Sequence, residues 1–223
     1  MAENTSIGAF GIKEVADVRF YPANALKIGE DGKLTWNVKS KGEGGTEIYY
    51  SDDDKKLEFT TLKVSNLSIT SETSDARGGK GNAKLLTWDH SREGTITLED
   101  ALLSLECLEA LMGDGSGKNG VVKITTDSFA SNYCIVGTTF ARVQETGDDH
   151  LFTFFIPNAK VSTELNLEMS ADGDPTVFNM ELTVLRAGKD DNTMVALLAA
   201  DEAYTKAEGE TSIFDQVIPK TED

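Results

Sequence analysis

At 223 residues, 39% of them hydrophobic, the chain is long enough to bury a substantial core and too apolar for a disordered one. Its 38 Asp and Glu outnumber 21 Lys and Arg, a net charge of −17. Grip on phosphate comes from Lys and Arg, so this balance excludes stable binding of nucleic acid or an anionic membrane as the main activity. It fits either plain solubility or a surface that faces nucleic acid without holding it.

No apolar run approaches the roughly eighteen residues of a transmembrane helix. The opening MAENTSIGAFGIKEVADV has neither a basic segment nor an apolar core, so no secretory leader is expected. Cys107 and Cys134 stand outside any CxxC pair and predict two reduced thiols of a cytoplasmically made protein.

Taken in chain order, LKIGEDGKLTW at 26–36 predicts a hairpin about Asp31-Gly32, a dipeptide that tolerates positive φ. Residues 39–56 are polar and loop-like apart from Ile48, Tyr49 and Tyr50. From Phe59 the pattern turns strand-like. Leu62 and Val64 share one parity and Leu67 and Ile69 the other, which predicts a bulge near Ser65-Asn66.

Residues 71–83, SETSDARGGKGNA, predict a glycine-rich loop, mobile over Ser74–Asn82 in the free chain and ordered on assembly. Strands are expected at Lys84–Trp88 and Glu93–Leu98. Thr97-Leu98-Glu99-Asp100 has the form of a capping box. It is followed by Leu98, Ala101, Leu102, Leu105, Leu108 and Met112 at helical spacing and by Gly113 as a C-terminal stop, predicting a helix over 98–112. Leu103, Cys107, Ala110 and Leu111 widen its apolar arc, so more than one side seeks cover, Leu105 included.

Strands then follow at Val121–Thr125, Tyr133–Val143, His150–Ile156, Lys160–Ser170 and Thr176–Leu185. The alternation is cleanest in the last two: Val161, Thr163, Leu165, Leu167 and Met169 against Ser162, Glu164, Asn166, Glu168 and Ser170, then Phe178, Met180, Leu182 and Val184. Asp172-Gly173-Asp174-Pro175 is the turn of a hairpin between them. Met194–Tyr204 fits a short helix and a final strand equally well. Residues 205–223 read as an acidic C-terminal arm. The expected fold is mainly β: one domain over 1–223, an antiparallel β-sandwich or barrel with a single flanking helix and long loops at 39–56 and 71–83.

Motifs for chemistry fail on their spacing. Gly115-Ser116-Gly117-Lys118 lacks the glycine at 112 and the Ser or Thr at 119 of a phosphate loop, and it runs from helix to strand. His90 and His150 are the only histidines. Asp148-Asp149-His150, three neighbours at a strand entry, do not converge on one ion. Asp52, Asp53 and Asp54 lack the glycine and distal Glu of a calcium loop. No serine lies in a GxSxG elbow, and no pair of carboxylates is marked for catalysis. Catalytic, cofactor-binding and metal residues are therefore not assigned. Arg77-Gly78-Gly79-Lys80-Gly81 sets two cations on an anionic protein. It fits an exposed loop, an RGG-like nucleic-acid contact, or a docking element for a neighbouring copy of the same acidic body.

Four stretches together carry a resemblance: GIKEVADV at 11–18, TLKVSNLSITSET, DARGGKGNAKLLTWD and REGTITLEDALLS within 59–104. They resemble the major tail tube proteins of bacteriophages. The resemblance covers about a quarter of the chain, and residues 39–56 read as an insertion relative to it. It implies a non-enzymatic virion protein, made in the bacterial host cytoplasm, whose hexameric rings stack into the tail tube. The implied partners are further copies of itself, the tape-measure protein, and tail terminator and tip proteins. Double-stranded DNA passes without stable binding, and no cofactor or membrane is involved.

On this reading Asp75, Arg77, Gly78, Gly79, Lys80, Gly81 and Asn82 form an inter-ring or inter-subunit loop. Leu98, Leu102, Leu105, Leu108 and Met112 form a subunit-interface helix. Glu164 and Glu168 are the candidate lumen lining. The competing readings are a capsid decoration protein and a carbohydrate-binding β-sandwich of the tail tip. Against the latter, Trp36 and Trp88 are the only tryptophans and no aromatic cluster suggests a sugar platform.

Overall fold

The computed structural model describes residues 10–30, 33–42, 45–59, 62–100, 105–112, 121–127, 131–144, 147, 149–162 and 178–199. Its frame is one antiparallel sheet of β1 (Phe10–Pro22), β6 (Leu57–Phe59), β7 (Leu62–Gly78), β8 (Ala83–Asp100), β9 (Asn132–Val143), β10 (Asp149–Val161), β11 (Phe178–Leu185) and β12 (Ala196–Ala199). The strands lie in the order β6-β1-β9-β10-β11-β8-β7, with β12 beside β10. Two small hairpins attach to it: β2 (Leu26–Ile28) with β3 (Leu34–Trp36), and β4 (Val38–Lys41) with β5 (Glu47–Tyr49).

The sheet is covered on both faces because period-two alternation puts apolar side chains on each. On the inner face Val18 and Phe20 of β1, Ile135 of β9, Phe154 and Ile156 of β10, Met180 and Leu182 of β11, and Ile96 and Leu98 of β8 share one core. Strands from both ends of the order meet there and β7 comes alongside β1, so the sheet curls into an open barrel. The helix α1 (Leu105–Met112) plugs it with Cys107 and Leu111, and the Tyr133 hydroxyl donates to the Ala110 carbonyl, one of the last-turn acceptors without a helical partner. On the outer face β2–β3 lays Leu26, Leu34 and Trp36 over Tyr21, Cys134, Val136 and Phe155. Burial there pushes the Cys134 thiol up to about 12, so it stays protonated.

Several expectations hold. The 26–36 hairpin, the strands at 133–143, 150–156 and 178–185, and the alternating burial of Met180, Leu182 and Val184 are all present. Of the two options for 194–204, the strand is the one adopted, over Ala196–Ala199. Others are corrected. The capping box at Thr97 does not start a helix. Thr97 lies inside β8, paired with Asn66 on one side and Glu181 on the other, so its backbone is committed to two ladders. The helix is described over Leu105–Met112, and residues 101–104 lie outside the described residues. The strands foreseen at 84–88 and 93–98 are one continuous strand, and the loop foreseen at 71–83 is mostly the far end of a long hairpin. The bulge lies between Leu62 and Val64, not at Ser65-Asn66. Val121 makes an isolated bridge and 122–125 form no strand. The strand foreseen to Ser170, the turn at 172–175, the loop at 115–118 and the C-terminal arm lie outside the described residues, apart from Lys160–Ser162.

The triple-aspartate run is a structural corner. Asp52–Asp54 forms a single 3-10 turn whose Asp52 accepts from the Tyr21 hydroxyl at 2.6 Å and pairs with Arg19 at 3.4 Å. Arg19 is buried and also holds Glu58 at 3.0 Å. Burial works to raise the Glu58 carboxyl, but the hydrogen bond from Lys55 and the charges of Arg19 and Lys55 outweigh it and hold it below its usual range. These pairs tie β6 and the 3-10 turn onto β1.

At the centre, Gly137 of β9 lies opposite Phe154 of β10, and a methyl group at Gly137 would sit 2.1 Å from the Phe154 ring. Glycine is needed here because the ring occupies the space a side chain would take. Gly137→Ala should cost about 1–3 kcal/mol, since the ring must leave a packed core. Urea denaturation of the unassembled chain measures this, and an unchanged midpoint would place the ring elsewhere.

Candidate assembly surface

The most distinctive feature follows from two strands that are longer than the body they belong to. The ladder between β7 and β8 runs from Leu62 opposite Asp100 to Gly78 opposite Ala83. Only its root meets the core, through Ile96 and Leu98. From Asn66 outward and back to Glu93 nearly every residue is exposed, so the pair stands clear of the body as an arm. At the rise of an antiparallel strand its length is roughly 40 Å. The chain reverses over Gly79–Asn82, where Gly79, Gly81 and Asn82 take positive φ and the Asn82 amide donates to the Gly79 carbonyl.

The two faces of the arm differ, and one inserted residue causes it. Paired residues project to the same face. At the root, Gly94, Ile96 and Leu98 of β8 are buried, and their partners Ile69, Leu67 and Ser65 lie on the same face, Leu67 and Ile69 already exposed. Glu72 then pairs with Ser91 but Thr73 with Asp89, so His90 is an extra residue on β8. Parity flips beyond it. Leu86 and Trp88, whose even numbers would otherwise continue the core face, emerge on the opposite side with their partners Ala76 and Ser74. A second extra residue, Leu85, lies between the Ala76–Leu86 and Arg77–Lys84 pairs, and its side chain reaches over Gly78. The result is an apolar outer face on which Leu85, Leu86 and Trp88 are 63%, 60% and 53% exposed.

The other face is polar and internally paired. Asp75 accepts from Lys84 at 2.7 Å and from Thr87 at 3.0 Å, and Arg77 approaches it at 3.4 Å. The Lys84 hydrogen bond is the main reason the Asp75 carboxyl lies below its usual range. On the same side as Leu86 and Trp88, nearer the root, Ser91 donates to Glu72 at 2.9 Å and the bulged His90 lies 3.4 Å from both Glu72 and Ser74.

The structure thus brings Asp75, Arg77, Gly78, Gly79, Lys80, Gly81 and Asn82 together at the end of the arm, as part of a β-ribbon. The helix residues separate. Leu98 is in the core on β8, Leu108 is buried, Met112 packs against the core and Leu105 is exposed. Leu105 is therefore left uncovered by its own subunit. Leu102, Glu164 and Glu168 lie outside the described residues. Sequence reading missed the apolar outer face. Its signal was the consecutive Leu85-Leu86 inside a polar stretch, which breaks simple alternation. Among the described residues no group of three or more His, Cys, Asp or Glu could hold a metal ion, and no helix is long and apolar enough to cross a membrane.

The model of the YomU/Tube protein family matches residues 46–115 and 114–197, together more than half of the chain. The chain belongs to the YomU/Tube protein family. The first matched stretch contains three of the four segments that resemble tail tube proteins, and the whole arm with them. A comparison with curated proteins finds no match. Membership makes this tube-family chain a phage tube protein with a structural role.

Exposure decides what the helix of this tube-family subunit contributes. Leu111→Asp should remove several kcal/mol of stability, because the carboxylate loses its water in the core. Leu105→Asp, at a 54% exposed site, should change it by less than about 0.5 kcal/mol in the unassembled chain. Paired urea titrations check this, and equal losses would show that Leu105 is buried.

Proposed function

We propose that this chain is the building unit of a phage tail tube. Copies close into hexameric rings, the rings stack, and double-stranded DNA passes through the lumen without being held. The tape-measure protein occupies the lumen during assembly, and terminator and tip proteins close the ends. The tube is built in the bacterial host cytoplasm, works in the virion tail, and catalyses nothing.

The observation that carries this reading is an arm projecting from the body of a tube-family protein with large apolar side chains in water. Such a face is stabilised by burial against a partner, at about 25 cal/mol for each Å² covered. A net charge of −17 supports the passage of DNA, since carboxylates facing the lumen repel phosphate. Glu164 and Glu168 remain the candidate lining.

Negative-stain microscopy of the purified chain tests the proposal. Stacked six-fold rings or rods of uniform bore are expected at high protein concentration. Particles that remain single subunits, or that coat a preformed shell without making rods, would sink it.

A further inference from the structure

We infer that the bulge at His90 is a transition-metal site, where His90 Nε2 and Glu72 Oε2 bind one divalent cation such as zinc and water fills its other positions. The site belongs to a single subunit, so the inference goes beyond the tube reading and does not depend on assembly.

Geometry carries it. His90 is the extra residue of β8 where Glu72 pairs with Ser91 and Thr73 with Asp89, and the bulge re-aims its ring across the ladder to β7. Its Nε2 lies 3.4 Å from Glu72 Oε2. A direct N–H···O bond is shorter, typically about 2.7–3.2 Å. Two ligands that each sit about 2.0–2.1 Å from one tetrahedral ion are roughly 3.4 Å apart. The separation is therefore the one that a cation between the two atoms requires.

Each ligand also has an outer partner, as metal ligands do. Ser74 Oγ faces His90 Nδ1 at 3.4 Å, and a proton held on that side leaves the Nε2 lone pair turned to Glu72. The Ser91 hydroxyl donates to Glu72 Oε2 at 2.9 Å and fixes the carboxylate. Two acceptors turned to each other repel unless a proton or a metal ion lies between them.

Ligand chemistry selects the ion. Imidazole with one carboxylate suits zinc, cobalt and nickel, whereas calcium and magnesium ask for oxygen throughout. Glu93, paired with Thr70, comes next along the same face, and a net charge of −17 draws cations to it. The His90 and Glu72 side chains are 49% and 67% exposed, so water reaches the open positions. Two protein ligands are fewer than a closed zinc site uses, so the ion exchanges with solvent. While bound, it ties β7 to β8 where the faces of the arm exchange.

Zinc titration of the full-length, unassembled chain tests this, followed at the His90 imidazole by NMR with His90→Gln to assign its signals. Those signals should shift saturably with zinc and stay in place with equal calcium. Glu72→Gln should weaken the zinc affinity read at His90 by roughly tenfold or more. A His90 signal unmoved by zinc, an equal response to calcium, or an unchanged affinity in Glu72→Gln would each overturn the inference. Rod formation enters none of these readouts, so the site and the tube reading fail separately.

Discussion

One antiparallel ladder, between β7 and β8, is the interaction on which the rest of the structure depends. Its inner pairs are part of the barrel: Ile96 and Leu98 are core residues, and β8 is hydrogen-bonded to β11 on its other side. Its outer pairs are the arm. A two-stranded ribbon is marginal by itself in water. Here it is held at one end by a strand that cannot shift register without pulling Ile96 and Leu98 from the core, because a slip of one residue exchanges the faces of the whole strand. The body thus fixes the direction of the arm, and the arm needs no independent stability to keep it.

The same ladder resolves the problem of edge strands. β7 closes one end of the sheet order, and a long flat edge invites unwanted pairing. Extra residues at Lys63 on β7 and at His90 and Leu85 on β8 interrupt the ladder three times and add twist, His90 in the middle. The middle of these also transfers the apolar side chains of β8 to the opposite face. One device therefore discourages indiscriminate edge pairing and creates a surface with a defined side. The acidity acts in the same direction, since bodies of like charge repel except where the basic end of an arm meets them.

Much of this was legible in the sequence. Half-buried strands such as 178–185 declare themselves through period-two alternation, because one face is wet, and the 26–36 hairpin through Asp31-Gly32, a dipeptide that tolerates positive φ. The parts that were not legible have one cause. The arm is wet on both faces, so burial imposes no alternation on it, and its glycines suggest a loop when only Gly79–Asn82 turns. Thr97 to Asp100 shows the converse. A local capping pattern was outweighed by pairing with β7 and β11, contacts far away in sequence. The Leu98 assignment failed for that reason. Asp75 to Asn82 lie at the far end of the ribbon and its turn, where the glycine-rich composition suggested a loop.

The central claim is that the arm is a formed ribbon in the single subunit, continuous with the core. Amide hydrogen exchange on the unassembled chain is its most direct measure. The account predicts protection that is strongest at the root, from Gly94 to Leu98, and that continues measurably through Thr73–Ala76 and Leu86–Asp89 before it is lost at Gly79–Asn82. Exchange at free-peptide rates throughout residues 70–92, beside a protected core, would contradict it.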